Sequence, residues 1–325
     1  MTKWQIPLVR WTKPKAGDPK NLQHPEIKMK TIVSEEFKRF VEVDPAWASK
    51  LTAPVEITDF CDMKGANITH LSPLLTFSGQ DKNGNVASFS CCQHLKIAEG
   101  TFVGMVTFSG SCLEKIGHLS ITQPNNHGEG ASFCRCRNLK VAEGCFAGSV
   151  DFTDSGVEKI SNLITHPNKS GTAAEFRLCR QLTVAEGTYP GYVDFSDSYL
   201  EKIGNLTITQ SNDSGDAASF AECKGLSVAN GSFAGFVDFQ GSGIAQIGKL
   251  TIAQPNDQGQ YLCVEWCPIS ENTTELAKVF SGKSLDELAV GLQRCQYYSV
   301  TEAIKQIVGR LVLKKSKNAQ PDFEL

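Results

Sequence analysis

No stretch of this sequence comes near 18 consecutive apolar residues, so nothing in it reads as a membrane-spanning helix. The N-terminus, Met1-Thr-Lys-Trp-Gln-Ile-Pro, lacks the apolar run of a secretory signal. The expectation is a soluble protein made in a cytosol, with export by a route that needs no cleaved signal left open. Although 12 cysteines are present, Cys-x-x-Cys is absent, and Cys91/Cys92 and Cys134/Cys136 do not have zinc-finger spacing. Cys263 and Cys267 form the remaining close pair. Gly-x-Gly-x-x-Gly, a Walker loop and His-Glu-x-x-His are all missing, and none of the six histidines falls in a Ser/His/Asp or Cys/His motif. No cofactor and no metal are expected. Positive charge is also short: 32 Lys and Arg stand against 35 Asp and Glu, a net charge of −3. Residues 55–270 hold 14 of those bases against 22 acids. A phosphate backbone needs clustered Lys and Arg, so nucleic acid is an unsuitable partner.

What is abundant is repetition. Phe89, Phe133, Phe176 and Phe220 stand 44, 43 and 44 residues apart. Each is followed three residues later by Cys92, Cys136, Cys179 or Cys223, and three further on by Leu95, Leu139, Leu182 or Leu226. Ala-Glu-Gly then follows three times (Glu99, Glu143, Glu186) and Ala-Asn-Gly once. Within each unit run short alternating pieces such as Leu182-Thr-Val, Val193-Asp-Phe and Leu206-Thr-Ile, a strand signal bounded by Gly, Pro, Asn and Asp. Gln123-Pro-Asn-Asn-His-Gly and its three later counterparts read as turns. Units of this kind bury their apolar faces by stacking on one another. The fold expected is therefore mainly β, a parallel β-solenoid.

The spacing Val193-x-Phe195-x-x-Ser198-x-Leu200-x-x-Ile203-x-x-Leu206 resembles that of a leucine-rich repeat, with Ser in place of Asn. Phe89-x-x-Cys92-x-x-Leu95 is similar to an element of the BspA-type leucine-rich repeats of bacteria and some protists. The resemblance covers about residues 55–265 and implies a leucine-rich-repeat-like coil, with two turns of about 22 residues to each unit. It also implies, by analogy, a bacterial or phage adaptor or effector that binds a protein.

Three regions are expected. Residues 1–54 form a basic arm and a capping helix from Ser34, taken as N-cap, with Phe37, Phe40 and Val41 on one face. Residues 55–270 form the repeats. Residues 271–325 form a helical cap and polar tail, with Ser284-x-x-Glu287 and Ser299-x-x-Glu302 as capping boxes.

The repeat cysteines, set between core Phe and Leu, are expected to be reduced and buried as small hydrophobes. The acidic residues also recur. Asp151, Asp194 and Asp238 flank the Val-x-Phe pieces and, by strand alternation, point away from the core. With Asp154, Asp197, Glu99, Glu143 and Glu186 they read in two ways: as solvent-facing positions that keep exposed strands soluble, or as a binding surface for a basic protein partner or a sugar. A glycan-cleaving enzyme working through such carboxylates is the alternative, but catalysis needs a unique constellation and these residues recur unit after unit. Non-enzymatic recognition is the expected function. The oligomeric state is not legible.

Overall fold

The computed structural model describes residues 29–272 and Leu276. The chain is mainly β, with parallel strands in three sheets of seven, ten and four strands. From Val55 onward, successive strands alternate between the ten-stranded sheet and one of the other two. Each circuit of the chain thus adds one strand to both sides. The ten-stranded sheet runs from Cys61–Asp62 to Leu262–Cys263. The seven-stranded sheet ends at Lys159–Ile164, and the four-stranded sheet begins at Val184–Tyr189. Among the described residues no helix is long and apolar enough to cross a membrane.

A ladder of phenylalanines between the sheets shows why the sequence folds this way. Phe89, Phe108, Phe133, Phe152, Phe176, Phe195, Phe220 and Phe239 stack face on, with centroids 5.1–5.5 Å apart. Each ring is buried, and burying an aromatic side chain contributes about 1.5–3 kcal/mol. The rungs alternate between 19 residues (Phe89 to Phe108) and 24–25 residues (Phe108 to Phe133). The equal turns of about 22 expected from the sequence are therefore corrected to a short and a long circuit. The extra residues of the long circuit form the Asn-x-x-Gly loops. These stack on one another across the intervening short circuit, through Asn126 N–H to Asn83 O (2.8 Å) and Asp257 N–H to Ser214 O (3.0 Å).

The second unit, which starts at Phe133, is one residue shorter than its neighbours. Lys159 to Asn168 spans one position fewer than Lys115 to Asn125 or Lys202 to Asn212. Here the strand ladder between Lys159–Ile164 and Val184–Tyr189 is interrupted, and one side of the molecule divides into two sheets.

The helix Ser34–Val43 covers the first rungs with Phe37 and Val41, and Phe37 meets Phe77 edge on at 5.8 Å. Ser34 is the first helical residue rather than the cap, which is Val33. Glu36 accepts the Val33 N–H, while Asp59, 25 residues away, accepts both the N–H and hydroxyl of Ser34 at 2.6 and 2.7 Å. A tertiary carboxylate thus does the capping that the sequence assigned to Ser34. At the other end, Pro268–Glu271 forms one 3-10 turn and Leu276 is buried against the core. The arm over 1–28 and the helices expected within 271–325 otherwise lie outside the described residues.

Candidate functional site

The last residue of every strand in the ten-stranded sheet belongs to one cross-strand row. In order these are Asp62, Ser88, Thr107, Ser132, Asp151, Glu175, Asp194, Ser219, Asp238 and Cys263. Each follows a buried residue, so its side chain leaves the opposite face of the strand. Asp151, Glu175 and Asp194 occupy three successive strands, which in a parallel sheet lie about 4.8 Å apart. Among the described residues none of the three has a Lys or Arg within ion-pair distance.

The expected aspartates therefore do share a face and a register, but they are half-buried rather than freely solvated. Their Oδ1 atoms accept the N–H two residues on: Thr153 from Asp151 at 2.8 Å, Ser196 from Asp194 at 2.8 Å, and Gln240 from Asp238 at 2.9 Å. Each Asp thus closes the turn that ends its strand. Burial pushes the Asp238 carboxyl up from the usual carboxylate range, against the pull of the Gln240 N–H. Glu175, which the sequence reading missed, is pushed up to about 6. Burial contributes most, followed by the negative charge of Asp151, Asp194 and Glu129, with Arg177 opposing. Its signal was the residue just before each ladder Phe. Ser88, Ser132 and Ser219 stand there in the other units, and Glu175 replaces serine in one.

N-terminal to Asp151 the row becomes a chain of hydroxyls. Ser88 Oγ donates to Ser90 (3.3 Å), and Ser132 Oγ donates to Asp151 Oδ2 (3.1 Å). Between them run Ser90–Thr107 (3.4 Å), Thr107–Ser109 (2.9 Å) and Ser109–Ser132 (2.9 Å). A hydroxyl has one proton. The proton of Ser132 goes to Asp151, so Ser109 must donate to Ser132, Thr107 to Ser109 and Ser90 to Thr107. The carboxylate polarises the whole line towards itself.

The other acidic candidates lie elsewhere. Asp154 and Asp197 sit at φ 53° and 58°, at a left-handed corner that recurs once per circuit and includes Cys91, Arg135, Leu178 and Glu222. Both are ion-paired, Asp154 with Arg137 at 2.7 Å and Asp197 with Arg177 at 3.5 Å. Glu99, Glu143 and Glu186 belong to the seven- and four-stranded sheets, not to the acidic row. Each stands where the register slips between Ala and Gly, as the single residue opposite two on the partner strand, which carries the β-bulge. Glu99 Oε1 accepts the His118 N–H at 3.4 Å, and Asn230, its counterpart in the fourth unit, accepts the Lys249 N–H at 2.9 Å. The recurring acidic residues therefore fall into three separate sets: a row, a corner and a position opposite a bulge.

Cys92, Cys136, Cys179 and Cys223 are free and buried, and burial pushes each thiol up to about 11. They are more than small hydrophobes. Cys136 Sγ donates to Phe108 O at 3.1 Å and lies 3.4 Å from Ser111 Oγ, and Ser155/Cys179, Ser198/Cys223 and Ser242/Cys267 repeat that pairing. The serine that replaces the expected asparagine is thus one half of an alternating Cys/Ser ladder, and Cys267 is its last member rather than half of a pair with Cys263. Among the described residues no group of three or more His, Cys, Asp or Glu is arranged to hold a metal ion.

Beside the hydroxyl chain lies a groove of about 440 Å³ whose lining includes Phe60, Met105, Ser88, Ser109 and Glu129. The sheet face thus combines an acidic row, a polarised hydroxyl line and a groove, with no Lys or Arg lining the groove. No family model matches the chain, and neither a curated protein nor a solved structure matches it.

Proposed function

We propose that this chain is a leucine-rich-repeat-like parallel β-solenoid and a non-enzymatic recognition protein that binds a basic protein partner through the outer face of its ten-stranded sheet. The observation that carries this is the in-register triplet Asp151, Glu175 and Asp194, left without a pairing cation. Like charges crowded on neighbouring strands repel, and a cationic partner relieves that repulsion while being steered to the surface. By analogy with the bacterial repeats it resembles, the reading is of an adaptor or effector made in a cytosol. The carboxylates on this face hold strand ends and recur from strand to strand rather than forming one unique constellation, which favours binding over glycan cleavage.

Capture from a lysate of the source cell tests this. The native chain and the Asp151→Asn/Glu175→Gln/Asp194→Asn variant are compared at low salt. Basic proteins held by the native chain and lost by the variant support the reading. An identical set retained by both contradicts it.

A further inference from the structure

Building on the reading of this face as a surface for a basic partner, we propose that the groove beside the hydroxyl chain seats a guanidinium group, the side chain of an arginine on that partner. Every hydroxyl proton from Ser88 to Ser132 is committed along the line to Asp151. Thr107 accepts from Ser90 and from the Ser109 N–H, and Ser132 accepts from Ser109 and from the Cys134 N–H, so their lone pairs are spent. Ser88 keeps two lone pairs and Ser109 one. Both line the groove, with the Glu129 carboxylate, whose Oε2 accepts only from Asn125 Nδ2 at 2.8 Å.

The hydroxyl line therefore offers a ligand acceptors and no donors. A ligand matching it must bring several N–H donors and positive charge. Guanidinium brings five donors in a planar fork and has no lone pair to be left unpaired. Its flat face and methylene stem suit Phe60 and Met105, which are half-buried in the lining. The volume of about 440 Å³ accommodates the head group and stem. His127 and Glu129 are the titratable lining groups, and no Lys or Arg competes for the acceptors. A sugar hydroxyl must both donate and accept, and half of that capacity would go unmet on the hydroxyl line.

The test titrates the whole chain with L-argininamide and with citrullinamide, whose neutral urea copies the guanidinium shape, following backbone amide NMR shifts. The proposal expects shifts centred on Ser88, Ser109 and Glu129 with argininamide, and binding at least about tenfold weaker for citrullinamide. Glu129→Gln keeps the acceptor for Asn125 and should weaken argininamide by a similar factor, and Ser109→Ala, which breaks the line, should do so independently. Equal response to both ligands overturns the proposal, as do shifts confined to Asp151, Glu175 and Asp194. If argininamide ignores the groove while an oligo-arginine peptide still binds through the acidic row, the groove assignment falls and the recognition reading stands. If neither binds, both fall.

Discussion

Ile164 and Thr165 stand in exchanged places. Ile164 is 56% exposed, paired across the sheet with exposed Cys145, in the row that holds Ser120, Thr188 and Thr207 in other rungs. Thr165 is only 4% exposed, and its hydroxyl has no hydrogen-bond partner. The matching residues in the neighbouring units are the buried Ile121 and Ile208. A one-residue shortening of the second unit shifts the phase, and in a strand a shift of one moves each side chain to the other face.

Thr165→Val should therefore stabilise the protein. It keeps the shape and removes a hydroxyl buried without a partner, a group that costs about 1–3 kcal/mol. Chemical denaturation should show a higher midpoint with an unchanged slope. An unchanged or lower midpoint would mean that the hydroxyl is satisfied.

Glu175→Gln should stabilise the fold at neutral pH and not at acid pH. The folded-state value of Glu175, about 6, lies above its ordinary 4.5, so its contribution is fully present below about 4.5 and is lost as pH rises through 6. At pH 7.5 the charged form costs up to about 2 kcal/mol, at about 1.4 kcal/mol per pH unit. Denaturation of both proteins from pH 4 to 8 should give curves that meet near pH 4 and separate above 6. A constant difference across that range contradicts the crowding of Asp151, Glu175 and Asp194.

Thiol labelling of the native protein should sort the cysteines by burial. Cys91 and Cys145 are exposed and should react promptly, while Cys92, Cys136, Cys179 and Cys223 should react only on unfolding. Prompt labelling of those four would remove the Cys/Ser ladder from the interior.

The stacked loops should tolerate little. Gly171 has φ +88°, and a Cβ added there would come within 2.5 Å of the Asn212 Cα. Gly171→Ala should cost more than about 1 kcal/mol, because strain and a backbone clash act together. A neutral result by thermal melting would mean that the loops are not in close contact.

The architecture was legible because Phe89, Phe133, Phe176 and Phe220 advertise their period. The unequal circuits were less so, because Phe108, Phe152, Phe195 and Phe239 occupy the same ladder inside a different local motif, Val-x-Phe. The 43-residue gap between Phe133 and Phe176 marked the altered rung, but only three-dimensional pairing shows that the missing residue falls after Lys159. Alternation correctly put Asp151 and Asp194 on one face. It could not show that Glu175 completes the row, because their neighbours in the sheet come from the other half of the repeat. Glu99, Glu143 and Glu186 shared the period without sharing the surface: period fixes height along the stack, not the side of it.

The most direct measurement of the central claim compares two variants that remove the same charge from different places. Asp151→Asn/Glu175→Gln/Asp194→Asn removes three charges from the row, and Glu99→Gln/Glu143→Gln/Glu186→Gln removes three from opposite the bulges of the other sheets while keeping their acceptor oxygens. Binding of a fluorescent oligo-arginine peptide is followed at low and high salt, since exposed charges are screened beyond about 10 Å at 0.1 M. Row-specific recognition predicts a loss of about tenfold or more at low salt for the first variant and little change for the second. Equal weakening of both would show that the peptide senses only total charge, and the ten-stranded face would then have no claim to be the binding surface.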